Sequence, residues 1–141
     1  MHCDIAPAVV GDVCIQSKLD TAHGDAVNMA ARLEACNKEL GSAICVGPGA
    51  AARCDAPLLR PLGQLAVRGR DEPIAVFEPW PDDAPPAWRE AYLKAYAMLD
   101  CDAAHAAMLL QKLMAERPVD LAVRRLAERP PSIRKSGLPP A

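Results

Sequence analysis

The stretch that most constrains this chain is Thr21-Ala22-His23-Gly24-Asp25-Ala26-Val27-Asn28-Met29-Ala30-Ala31-Arg32-Leu33-Glu34. A glycine followed by an aspartate opens a run of strong helix formers, the grammar of a loop handing over to a helix. Asp25 suits the N-cap, where a carboxylate accepts from the free amides of the first turn. Val27, Ala30, Leu33 and Leu40, with Ala31 and Cys36 beside them, predict one apolar face at helical spacing. Asn28 and Arg32 stand four residues apart and so share a second face, one turn above another. An amide and a guanidinium stacked at the open end of a helix suit a polyanion carrying a hydroxylated sugar. By spacing alone the pair reads first as a solvated Asn and Arg on an ordinary helix surface. The helix is expected over residues 25–39, with Gly41 as its C-terminal stop.

Totals narrow the class. The chain has 141 residues, a net charge of −2 and 51% hydrophobic content, one domain's worth of material with a modest core. Without a basic stripe, nucleic acid is not expected as the main partner. Aromatic residues make up only 4%, so the core has to come from Ala, Leu and Val. No apolar run approaches spanning length and no secretion signal is seen, so the expected location is the cytoplasm. Cysteines stand at positions 3, 14, 36, 45, 54 and 101, with no Cys-x-x-Cys pair and no zinc-site spacing to His2, His23 or His105. Reduced thiols used as small apolar residues are the expectation.

Along the chain, residues 5–13 read as a short buried strand and 43–46 as another. Residues 48–54 read as a helical turn, and 64–68 with 74–78 as a hairpin across the polar turn 69–73. Pro79, Pro81, Pro85 and Pro86 interrupt regular structure. Beyond them Trp88, Tyr92, Ala95, Tyr96 and Leu99 lie at helical spacing, as do Ala106, Leu109, Leu110, Leu113 and Met114 within 103–116. A third, shorter helix is expected from Pro118 to Glu128. The first two resemble one helix-turn-helix unit of the tetratricopeptide kind. Such a unit cannot bury its own face, so it is expected to pack on what precedes it. The Pro/Ser/Arg-rich residues 130–141 are expected to be disordered.

The wording of residues 24–34 closely resembles the signature of class III nucleotidyl cyclases, the adenylate and guanylate cyclase homology domain. Lys38, Gly41 and Ile44-Cys45-Val46 resemble that family's Lys-x-x-Gly-x-x-Ile-x-Val segment. Arg60-Pro61-Leu62-Gly63, then Val67-Arg68-Gly69 and Pro73, are similar to its Leu-Gly…Val-Lys-Gly…Pro segment, and Ala75-Val76-Phe77-Glu78 resembles its closing strand. The likeness runs in unbroken order over residues 6–79. It departs near the start, where Asp4 stands in the place of a histidine and Ala6 in that of a glycine.

The resemblance implies an α+β fold, the C-terminal part of a ferredoxin-like cyclase sandwich over 1–79. A Pro-rich linker at 80–86, a helical tail at 87–129 and the end segment 130–141 would follow. It implies conversion of ATP to 3′,5′-cyclic AMP and pyrophosphate, with Mg or Mn as cofactor and a second cyclase domain as partner in a head-to-tail dimer. By motif position Asn28 would orient the ribose and Arg32 would stabilise charge building on the phosphates. Thr21 would contact the base, favouring adenine, and Arg68 would take the place of a phosphate-binding lysine. Read without the family, Thr21 only ends a loop and Arg68 is an exposed strand charge. The metal-binding aspartates belong to a Phe-x-Asp-Ile-x-Gly-Phe-type strand and a Lys-x-x-Gly-Asp turn, and neither motif occurs in the chain. The expectation is therefore a partial domain, inactive or nearly so alone. The alternative is a non-enzymatic interaction module that docks a partner cyclase domain or another protein.

Overall fold

The computed structural model describes residues 2–3, 25–54, 56–66 and 71–129. The expectations for a strand at 5–13, for Thr21 and Arg68, and for the end segment 130–141 lie outside these residues. The described elements are β1 (His2–Cys3), α1 (Asp25–Leu40), β2 (Cys45–Val46), α2 (Pro48–Ala51), a 3-10 turn (Ala56–Leu58), β3 (Leu59–Leu65) and β4 (Ile74–Pro79). Three helices follow: α3 (Pro86–Met98), α4 (Ala103–Glu116) and α5 (Leu121–Glu128). The fold is mixed α/β. The sheet order is β1-β2-β4-β3, with β1 parallel to β2 and the other three strands antiparallel.

Helix α1 stops at Gly41, whose φ of 71° lies in the left-handed region. The Ser42 amide donates back to the Asn37 carbonyl at 3.1 Å, the longer bond of a Schellman cap. The Ser42 hydroxyl adds a 3.0 Å bond to Asn37 Oδ1. The buried stripe of α1 is Met29, Leu33, Cys36 and Leu40. It packs with Cys45, Leu62, Leu65, Ile74 and Val76 of the sheet. This corrects the expected face: Ala30 is only half-buried and Ala31 is exposed. Met29, Leu33, Cys36 and Leu40 follow one another at four, three and four residues and so share one line along the helix, from which Ala30 is turned by about 90°.

Strand β3 begins at Leu59, not at 64, and runs through Pro61 and Gly63, residue types that are disfavoured inside strands. It is a sheet edge, where a missing N–H is tolerated. A register shift between Pro61 and Gly63 absorbs the irregularity, with Gly63 at φ 145°.

A second core forms around Trp80, Trp88, Tyr92, Leu110, Leu113, Val123 and Leu126. Trp80 meets Tyr92 edge-on at 5.5 Å between ring centroids, and Trp88 stacks on Tyr92 at 6.0 Å. Residues 80–86 thus do more than link, since Trp80 and Ala84 are buried in this core. The third helix starts at Leu121 rather than Pro118, because Asp120 caps it: Oδ1 accepts from the Val123 amide at 3.1 Å.

The helical tail sits against β3. The Tyr92 hydroxyl donates to the Pro61 carbonyl at 2.6 Å, and Arg129 Nη1 donates to the Leu62 carbonyl at 3.1 Å. Two carbonyls of an edge strand are satisfied by side chains in place of another strand. At the other end, a Cβ on Gly41 would lie 2.6 Å from the Leu121 carbonyl oxygen. Gly41→Ala therefore combines a left-handed backbone with a backbone collision. It should lower stability by about 2–4 kcal/mol, read as a reduced denaturant midpoint at unchanged slope.

Candidate functional site

Two places on the molecule concentrate polar chemistry. The first is the flank of α1. Counting about 100° per residue, Arg32 stands roughly 70° and Asn28 roughly 110° from the centre of the buried stripe. Asn28 is accordingly exposed and Arg32 half-buried. The Met29–Leu33 spacing seals one side of the helix into the core and so fixes where the other side faces. Thr21 and Arg68, the other expected nucleotide contacts, lie outside the described residues.

The second place is a cleft of about 250 Å³ where the tail meets the sheet, lined in part by Arg60, Glu78, Arg117 and Asp120. Arg60 is only 3% exposed. Its Nη1 and Nη2 donate to the two carboxylate oxygens of Asp120 at 2.8 and 3.1 Å, a bidentate pair. Its Nε and Nη2 both reach Glu78 Oε2, at 3.1 and 2.8 Å. The guanidinium also lies 5.4 Å from the centre of the Tyr92 ring and 5.9 Å from that of Trp80. Burial pushes the Glu78 carboxyl above its ordinary value, and the Arg60 charge only partly opposes this. Burial likewise pushes the Tyr92 hydroxyl up, with Arg60 opposing.

Sequence reasoning did not single out this trio. Arg60 and Glu78 were visible only as parts of motifs, and nothing local marks Asp120, 60 residues beyond Arg60, as its partner. The one local signal was at Asp120 itself, an N-cap residue type just before an apolar-periodic run.

The two buried thiols behave as apolar residues, and two others are exposed. Cys36, Cys45, Cys54 and Cys101 are all free, the first two buried. Burial, with a smaller contribution from Cys36, pushes the Cys45 thiol up to about 12. A group held so far from the thiolate is no nucleophile at neutral pH.

A 73-residue stretch of the chain is 40% identical to Adenylate cyclase 1 of Rhizobium meliloti (strain 1021), covering 50% of this chain and 11% of that protein. No protein-family model matches the chain, and no solved structure does. The likeness marks a cyclase-related region in a chain that spans a small part of its relative. Among the described residues no helix is long and apolar enough to cross a membrane.

Likeness to an adenylate cyclase suggests a divalent metal cofactor in the intact family, and the described residues do not fit one. No group of three or more His, Cys, Asp or Glu converges among them. Asp120, buried, and Glu78, half-buried, are the carboxylates of the cleft and are both engaged by the Arg60 guanidinium, which takes the place a cation would need.

Two outcomes test the trio as an electrostatic unit. Arg60→Met leaves the buried Asp120 and the half-buried Glu78 without their cation and should cost about 3–5 kcal/mol in chemical denaturation. The Glu78 carboxyl is raised on folding, so its contribution to stability is present below its ordinary value of 4.5 and is lost as pH rises through the folded value. Glu78→Gln keeps an acceptor for Arg60 and removes that loss. The stability difference, variant minus wild type, should therefore grow as pH rises from 4 through the acidic range and then level off.

Proposed function

We propose that residues 6–79 are the C-terminal part of a class III adenylate cyclase domain of ferredoxin-like architecture, carrying the nucleotide-facing helix of the site. The single observation behind this reading is the 40% identity over 73 residues to a rhizobial adenylate cyclase. The exposure of Asn28 and the partial exposure of Arg32 on α1 support it, because groups sealed in the core would have no access to a ligand.

In this reading the Asn28 amide bonds the ribose and holds the 3′-hydroxyl in line with the α-phosphorus of ATP. Arg32 spreads its planar charge over the phosphate oxygens as pyrophosphate leaves. Thr21 reads the adenine and Arg68 holds a terminal phosphate. Mg or Mn, which neutralises phosphates and activates the hydroxyl in the intact family, is left to the aspartates of a second cyclase domain. Two copies of this chain would pair two such helices and lack that half of the chemistry, so the chain by itself turns over little or no ATP.

The test is complementation. The purified chain is mixed with a cyclase domain that retains its metal aspartates and has lost its own transition-state Asn and Arg, and cyclic AMP is measured with ATP and Mn. Activity should appear only in the mixture, and Arg32→Ala should reduce it by about 100-fold or more. Arg32-dependent cyclisation by the chain alone would overturn the assignment of the metal half to a partner. Binding to the cyclase domain with no gain in activity would favour the interaction-module reading.

A further inference from the structure

From the cap of helix α5 onward, consecutive residues touch different parts of the molecule. Asp120, its cap, binds Arg60 of β3 and through it Glu78 of β4. The backbone of Leu121 lies against Gly41, the stop of α1. Ala122 is buried in the first core with Met29, Leu33 and Leu40, whereas Val123 and Leu126 are buried in the second with Trp88 and Tyr92. Arg129, just past its end, reaches the Leu62 carbonyl of β3. Eight residues thus bridge two cores and are pinned to β3 at both ends.

A helix of that length, about 12 Å, is not stable by itself in water, because its few hydrogen bonds do not repay nucleation. Its order depends on its contacts. Those contacts come from both cores together, so α5 forms only when the helical tail and the α1–sheet unit are in place. In turn, its Leu121 backbone fills the space under Gly41, and its Ala122 closes the core beneath Leu40.

From this geometry we propose that α5 is a detachable keystone. Its docking sets the position of the C-terminal end of α1, and its release loosens α1 and the tail together without unfolding the sheet. The control this gives over Asn28 and Arg32 rests on the reading of α1 as the nucleotide helix; the mechanical coupling does not. A conformational equilibrium of this kind is a point at which anything that grips the tail alters the nucleotide face.

Hydrogen exchange followed by mass spectrometry on the full chain tests it, without nucleotide. In Asp120→Ala, amides of 36–42 and of 121–128 should exchange at least about ten-fold faster together, while those of 59–65 and 74–79 keep their wild-type protection. Faster exchange confined to 121–128, with the last turn of α1 unchanged, would overturn the proposal. Should Asp120→Ala lose all protection, Asp120→Asn serves in its place. It retains a capping oxygen and weakens only the pair with Arg60, and the same paired pattern is expected at smaller amplitude. A second arm adds ATP with Mn to the wild type. Slowed exchange at both 36–42 and 121–128 supports the coupling and the nucleotide reading alike. Coupled exchange in the variants with no response to ATP leaves the keystone standing and counts against α1 as a nucleotide helix.

Discussion

One buried cation ties the head of α5 to the sheet. Arg60 is inserted between Glu78 on the neighbouring strand and Asp120 at the head of α5, with its guanidinium over the rings of Tyr92 and Trp80. A lone guanidinium in that position would be prohibitively costly, and two carboxylates without it equally so. Each group is tolerable only because the others are there. The trio therefore acts as a registration device: it contributes little net stability beyond what apolar residues would, yet it penalises any arrangement in which α5 is displaced from β3.

The same logic explains how the helices of the tail bury a second face. Repeat units bury their faces against neighbouring copies. Here the second surface is the edge of a sheet. Tyr92 and Arg129 satisfy β3 carbonyls, and Trp80 and Ala84, in the Pro-rich stretch after β4, extend the second core toward the sheet. An edge that would otherwise invite another strand is capped by side chains.

Much of this was legible in the residues. The helix over 25–40, its stop at Gly41 and the three tail helices follow from periodicity and capping chemistry, which act within a few residues. Three readings went astray for definite reasons. The face of α1 was read to include Ala30 and Ala31 beside Leu33, Cys36 and Leu40, whereas Met29 completes the buried stripe, because it stands four residues before Leu33 and seven before Cys36 while Ala30 lies about 90° round the helix. Strand β3 was started too late: it opens at Leu59, and Pro61 and Gly63, residue types disfavoured inside strands, are accommodated at a bulged sheet edge. The third tail helix was opened at Pro118 where the capping carboxylate of Asp120 opens it. Of the candidate site, Asn28 and Arg32 were visible as an i, i+4 pair, and α1 displays them on its accessible flank; the charged trio was not foreseen.

The chain alone determined its local elements, the wording shared with a rhizobial adenylate cyclase and the absence of the two metal-aspartate motifs, since each of these is a property of neighbouring residues or of residue order. Tertiary structure alone decided that Arg60 finds Asp120 across 60 positions, that α5 straddles two cores, and that Gly41 must be glycine for a second reason besides its φ. Those outcomes depend on which surfaces meet after the elements have formed. Desolvation and steric exclusion act at that stage between residues whose separation in sequence carries no information about their contact.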